Sequence, residues 1–186
     1  MIEEKVFENI DYTMESLPET EFDNCSFVNC NFSGVVLSDF TFLESVFDHC
    51  NMGTVKLVGA ALKDVKFKHC NLMGVDFSEC NQILLSFSFE GCRLDLSSFY
   101  KLPLKNTKFL KCSIKEADFI ESDLRGAAFN ECQLDGAIFE HSKLEKVDFT
   151  SAENFSIDPE TNSLKKARFS PTGLEGLLGK YDLKIE

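Results

Sequence analysis

The sequence predicts an all-β solenoid with four sides to each turn. Three observations predict it: a large apolar residue at every fifth position, mostly small residues two places before each, and like residues recurring at intervals of twenty. Counting in fives from Ile2 meets Phe7, Tyr12, Leu17, Phe22, Phe27, Phe32, Leu37, Phe42, Phe47, Met52, Leu57, Leu62, Phe67, Leu72 and Phe77. In a chain that is 44% hydrophobic, composition alone does not produce such a run. After a slip of two residues near 81–83, the series is expected to resume at Leu84. It continues through Phe89, Leu94, Phe99, Leu104, Phe109, Ile114, Phe119, Leu124, Phe129, Leu134, Phe139, Leu144 and Phe149. It lapses at Asn154 and Pro159 and returns at Leu164 and Phe169.

The residues two places earlier are mainly Cys, Ser, Thr, Ala and Val, with only Phe40 and Leu102 large over Thr20 to Val75 and Cys92 to Ala152. Both slots therefore point inward around one outward residue, which is the alternation of a short extended segment. Two further outward residues shift the phase and turn a corner. A period of five fits neither a helix nor an ordinary strand. Phe27, Phe47, Phe67, Phe89, Phe109, Phe129 and Phe149 are spaced by twenty with one step of 22, as are Cys30, Cys50, Cys70, Cys92, Cys112 and Cys132. Recurrence every four repeats means four sides per coil and like side chains stacked in ladders. About eight coils at roughly 4.8 Å per stacked strand give a rod on the order of 40 Å long. Coils that share one core need not be stable singly.

Composition narrows the function. The formal net charge of −12 argues against nucleic acid as a partner, because phosphates would be repelled. The acidity is uneven: residues 1–50 carry eleven acids and one base, residues 51–130 nine and eleven, and residues 131–186 eleven and seven. No apolar stretch approaches a membrane span, and Met1-Ile-Glu-Glu-Lys-Val does not open a secretory signal. Eight cysteines without such a signal predict a reducing, cytoplasmic setting and no disulfide framework.

The ends depart from the repeat. Lys5, Ile10 and Glu15 occupy the small slot, so the first coil is expected to be irregular and to cap the core. The solenoid is assigned to residues 1–169, with a local bulge at the slip and an irregular excursion over 151–163. Residues 170–186 form a separate tail. Ser170 suits a helix N-cap and Pro171 the first helical position. Leu174, Leu177, Leu178 and Tyr181 follow at helical spacing, and Leu183 and Ile185 then alternate as in a strand. Gly173, Gly176 and Gly179 weaken that helix, so it needs tertiary packing. The tail either covers the last coil or also pairs two chains, since an open solenoid end must be covered.

Little of the remainder suggests chemistry. All eight cysteines sit in the inward small slot, where a cysteine behaves as a small apolar group. His49 and His69 share an outward slot on adjacent coils, yet no third ligand is evident, so no metal or cofactor is expected. No nucleophile–base set, phosphate-cradling glycine loop or paired catalytic carboxylates stand clear of the repeat. A rod filled with side chains offers no large concave pocket, and no enzyme is expected. Lys63, Lys66, Lys68, Lys105, Lys108, Lys111 and Arg125 fall on adjacent sides near mid-rod, either as ordinary surface or as a patch for an anionic partner.

Stretches such as Ala117-Asp-Phe-Ile-Glu-Ser-Asp-Leu-Arg-Gly-Ala-Ala-Phe closely resemble the pentapeptide repeat family over nearly the whole chain. The resemblance implies a right-handed quadrilateral β-helix, a handedness that the periodicity does not supply. The end of the chain, from Asn154-Phe-Ser-Ile-Asp-Pro through Leu174-Glu-Gly-Leu-Leu to Leu183-Lys-Ile-Glu, is similar to members that protect bacterial DNA gyrase. These are the quinolone-resistance (Qnr) proteins, the mycobacterial fluoroquinolone-resistance protein, and the immunity proteins against microcin B17 and albicidin. That group implies a homodimer joined through a C-terminal helix and strand, here Leu174, Leu177, Leu178, Tyr181, Leu183 and Ile185. It further implies an acidic rod that mimics a DNA duplex and binds gyrase or topoisomerase IV. Two rods end to end would span roughly 80 Å, about 24 base pairs. On that reading Glu140, Glu145 and Asp148, in the acidic segment near the joined ends, are candidate contacts. The alternative is a scaffold for some other protein, because fold alone does not license function.

Overall fold

The computed structural model describes residues 1–184; Ile185, expected in a terminal strand, lies outside the described residues. The chain forms a parallel β-solenoid of about eight turns. One side is a continuous nine-stranded sheet from Val6–Glu8 to Arg168–Phe169. In it Phe27 pairs with Phe47, Phe47 with Phe67, Phe67 with Phe89, Phe89 with Phe109 and Phe109 with Phe129. The intervals of twenty, and the single interval of 22, are therefore the coil lengths. A second side carries a four-stranded sheet, Ile2–Glu3, Glu21–Asp23, Thr41–Leu43 and Ala61–Lys63. The other two sides are held by isolated parallel bridges such as Asn31 to Asn51 and Ser98 to Asp118.

Corners follow from the two outward residues. The second of them usually has a left-handed backbone, as at Asn24, Asn29, Asp39 and Asn106, a conformation that Asn, Asp and Gly tolerate best. Many corners are closed by a turn hydrogen bond, such as Ala127 N to Leu124 O at 2.9 Å. Gly126 stands at such a corner with φ +73°, and a Cβ there would fall 2.5 Å from Asn106 Oδ1.

The interior is a stack of aromatic ladders. Phe109 and Phe129 lie 4.7 Å apart and within 2° of parallel, while Phe119, from the opposite side, meets Phe129 edge-on at 5.7 Å and 89°. Offset stacks joined by edge-to-face contacts are the arrangements that the ring quadrupole favours. The cysteine ladder lines another side, each thiol near the backbone of the coil before it, as in Cys70 Sγ to Phe47 O at 3.3 Å. Outside that side runs a row of amides: Asn71 Nδ2 donates to Asn51 Oδ1 at 2.9 Å, Asn51 Nδ2 to Asn31 Oδ1, and Asn31 Nδ2 to Asp11 Oδ1.

Four sequence expectations need correction. At the slip Leu84 does not point inward; it is 69% exposed. The chain leaves the stack at Asn81, whose N–H donates to Ala60 O, and rejoins at Ser86, whose N–H donates to Leu62 O. The interior place thus vacated is taken by Phe87, a large residue in the small slot, whose ring lies 5.5 Å from Phe77 and 5.1 Å from Phe89. The first coil is regular over two sides, since Ile2–Glu3 and Val6–Glu8 both pair with the next coil; it turns irregular only after Asp11. At 154 the inward residue is merely displaced by one. Asn154 turns outward and Phe155 fills the core 5.6 Å from Phe149.

The tail is the fourth correction, in helix type and strand only. The helix forms with the expected cap, Ser170 Oγ accepting from Gly173 N, but as two short 3-10 helices, Pro171–Leu177 and Gly179–Tyr181. Two of its glycines answer a packing need. A Cβ on Gly173 would come 2.9 Å from the Phe155 ring, and one on Gly176 would collide with Phe155 outright. The Gly176 carbonyl accepts from Ile157 N at 2.9 Å, so the segment lies directly on the excursion. Leu183 belongs to no strand.

Candidate functional site

With most apolar side chains turned inward, any site must be built from the outward rows, and these are organised coil by coil. Lys101 reaches Glu121 at 3.4 Å, Lys105 reaches Asp123 at 3.5 Å and Arg168 reaches Asp148 at 2.9 Å. The partners are twenty residues apart, or eighteen for Lys105 and Asp123, so each pair bridges neighbouring coils. Arg125 also holds Asp123, at 2.6 Å. The Arg125 hydrogen bond keeps the Asp123 carboxyl below the ordinary carboxylate value, against the opposing effect of partial burial.

These pairs divide the mid-rod basic group foreseen in the sequence. Lys105, Lys111 and Arg125, on corners, have acidic partners. Lys66, Lys68 and Lys108 lie instead on the nine-stranded sheet, where with Ser88, Glu90 and Leu110 they line a shallow groove of about 210 Å³. Among the described residues these three lysines form no ion pair. A second depression, of about 530 Å³, lies where the tail folds over Phe155, so the packed rod is not without concavity at its end.

Glu140, Glu145 and Asp148 occupy successive positions around one coil. Glu140 and Glu145 flank one side at its two corners, and Asp148 lies on the nine-stranded sheet. Glu140 is exposed, while Glu145 is half-buried with one carboxylate oxygen enclosed. Partial burial pushes the Asp148 carboxyl up, but hydrogen bonds from Thr150 and the Arg168 charge outweigh it and hold the group low.

In the tail, Leu174, Tyr181 and Leu183 are 48%, 50% and 57% exposed, whereas Leu177 packs against the core and Leu178 is half-buried. The segment thus acts as a lid with its inner face and leaves an apolar outer face. Lys180 fastens it to the excursion through Asp158 at 2.8 Å and Glu160 at 2.7 Å, and Tyr181 Oη donates to Glu160 at 3.0 Å. The Lys180 hydrogen bond is the main reason that both carboxyls are held below their ordinary values.

The histidine pair stacks as its spacing predicts, with ring centroids 4.6 Å apart. The third group missing from the sequence reading is Asp48, whose Oδ1 lies 2.8 Å from His49 Nδ1 and 3.4 Å from His69 Nδ1. Burial pushes this carboxyl up, and hydrogen bonds from the two imidazoles more than reverse it. The cysteines, in contrast, are all free and buried. Burial, with the Asp76 and Glu79 charges, pushes the Cys80 thiol up to about 12.

The chain matches the family model of the pentapeptide repeat region over residues 20–87 and 82–169, and it belongs to that family. Among solved structures it is similar to two trypsin-treated variants of QnrB1, a plasmid-mediated fluoroquinolone resistance protein. Both superpose with TM-score 0.52 at 18% identity, covering 100% of this chain and 99% or 97% of theirs. HetL, a pentapeptide repeat protein of the cyanobacterium Nostoc involved in heterocyst differentiation regulation, is 16% identical, with TM-score 0.48 over 90% of this chain and 86% of its own. No curated protein sequence matches the chain.

Proposed function

We propose that this pentapeptide repeat protein is a non-enzymatic mimic of duplex DNA that binds bacterial type II topoisomerase, DNA gyrase foremost, and protects it from a quinolone or a peptide toxin. The observation that carries the proposal is an acidic, narrow, parallel rod of net charge −12. Its fold matches along its full length that of a fluoroquinolone resistance protein. Such a rod offers a topoisomerase an elongated anionic surface without a scissile bond. Steering by opposite charge speeds encounter and makes it sensitive to salt. The apolar outer face of the tail supports a homodimer, which would double the length of the mimic.

The direct test is a gyrase supercoiling assay with and without a fluoroquinolone. The protein is expected to restore supercoiling in the presence of the drug, with an effect that fades as salt rises. Indifference across micromolar concentrations would defeat the proposal. Charge reversal at Glu140, Glu145 and Asp148 should abolish binding while the far-UV spectrum stays unchanged; unaltered binding would remove those residues from the contact surface.

A second reading, a scaffold for a different protein, is favoured by the lysines at 66, 68 and 108, which interrupt the negative field on the longest flat side. Replacing Lys66 and Lys108 by Glu separates the two. A mimic should bind topoisomerase at least as well. A scaffold that docks through these lysines should lose a host partner captured by the unaltered protein.

A further inference from the structure

We propose that Asp48, His49 and His69 form a surface site for a divalent transition-metal ion, zinc being the species that their chemistry suits. The two imidazole Nδ1 atoms converge on one carboxylate oxygen, and the three ligand atoms lie within 4.8 Å of one another. Two nitrogens and one oxygen are a donor set for zinc rather than for calcium or magnesium, which take oxygen. With metal–ligand distances of about 2.0–2.2 Å, ligand atoms around a tetrahedral ion sit roughly 3.3–3.6 Å apart. The separation of 3.4 Å between His69 and Asp48 already has that value, and the 2.8 Å between His49 and Asp48 opens to it by a small side-chain rotation. The remaining position faces solvent and would hold water.

The fold builds this geometry rather than leaving it to chance. His49 and His69 occupy the same corner of successive coils, both with left-handed backbones at φ 53° and 51°. Their spacing is therefore set by the stacking of the sheet. On the next coil the same corner is Gly91, and a Cβ there would lie 2.7 Å from His69 Cδ2, so its absence makes room for the second ring. Both imidazoles are about half exposed. Water can thus take the Nε2–H of each ring, leaving both Nδ1 atoms free to ligate. Lys68, which pairs with Asp48 across the strands, and Glu90, which pairs with Lys68, are the charged neighbours in the same row. Because the inference concerns a site on the nine-stranded sheet and its edge, it stands apart from the topoisomerase proposal.

Isothermal titration of zinc chloride into the untagged full chain tests it. One equivalent is expected to bind, less tightly in acid because protons compete for the imidazoles. His69→Asn, chosen because Asn tolerates the left-handed corner, and Asp48→Asn should each weaken binding about tenfold or more. His141→Asn should leave it unchanged, and circular dichroism checks that each variant is folded. Zinc shifts in the imidazole resonances of His49 and His69, but not His141, are expected by NMR. Failure of the unaltered chain to take up zinc, or equal uptake by the Asp48 and His69 variants, would overturn the assignment.

Discussion

Truncation of Phe109 to Ala tests whether the aromatic ladder is what holds the coils together. Its side chain is fully buried. Its ring is stacked between Phe89 at 5.3 Å and Phe129 at 4.7 Å, and meets Phe99 and Phe119 edge-on at 5.9 and 6.0 Å. Removing a buried Phe typically costs about 3–5 kcal/mol, the larger values arising where the surroundings cannot collapse. Here they cannot collapse easily, because the strand Lys108–Leu110 is paired to both neighbouring coils and each flanking ring is fixed by its own strand. A loss of about 4–5 kcal/mol is therefore expected. Phe7→Ala supplies the control. Phe7 lies on the first coil, stacked on one side only by Phe27 at 4.9 Å and touched edge-on by Phe22. Aromatic pairs contribute about 0.5–1.5 kcal/mol each beyond burial, so its loss should be smaller by at least about 1 kcal/mol. Urea unfolding followed by far-UV circular dichroism gives both values, and an unchanged m-value confirms that the rod still unfolds as one unit. Equal losses at the two positions, or a loss below about 2 kcal/mol at Phe109, would refute the ladder as the source of stability.

Gly126→Ala should destabilise by about 1–2 kcal/mol from its left-handed backbone alone, and by more through the clash with Asn106; Asn106→Gly in the same chain, which keeps that residue's own left-handed corner unstrained, should recover only the clash, as thermal melting of the double variant would show. The eight thiols should be inert to Ellman's reagent in the folded chain and fully reactive in guanidinium, so a fast-reacting thiol would contradict their burial. Asp158 and Glu160 are held below their ordinary values by Lys180. Their contribution to docking the tail is thus complete above the unfolded carboxylate range of about 4 and fades as pH falls through the lower folded values. The ring signals of Tyr181 should report the tail loosening in acid and not between pH 6 and 9. Leu174→Asp, on the exposed outer face of the tail, should leave the rod folded and yield monomers by light scattering; a persistent dimer would leave the tail as a lid alone.

The rod was legible because its rule is written in every coil. Inward residues at fixed intervals can stack in only one way, so Phe67 opposite Phe89 follows from counting, slip included. The failures share a cause: each depends on which of two neighbouring residues fills a space, and periodicity is silent on that. Phe87 enters the core because the chain leaves it between Asn81 and Ser86, and a strict count assigns that place to Leu84. Phe155 enters in place of Asn154 for the same reason, one residue out of register. Of the tail glycines, which weaken a helix when taken alone, Gly173 and Gly176 are points of contact with Phe155. Asp48 lies off the ladders that recur at intervals of twenty, because its approach to His69 spans 21 residues, from the last strand position of one coil to the corner of the next. A scan for polar residues one place off the ladder would have found it.

The same logic bears on which acidic residues carry function. A solenoid has two ends, and each must be kept from pairing with another chain. At one end the tail covers the last coil, with Leu177 on the core and Lys180 tied to Asp158 and Glu160. At the other end the first coil presents Glu3, Glu4, Glu8 and Glu15, all exposed, on and beside its strands. Like charges at an open edge repel a second copy, so these carboxylates do not by themselves argue for imitation of DNA. The acids that discriminate are those on the later coils, where the edge is already covered. There Asp123, Glu131 and Asp148 are neutralised by basic partners, whereas Glu140 is exposed and, among the described residues, has no ion-pair partner. If the rod is read by a topoisomerase as a duplex, the exposed, unpaired Glu140 should contribute more to the reading than Asp148, whose charge Arg168 offsets.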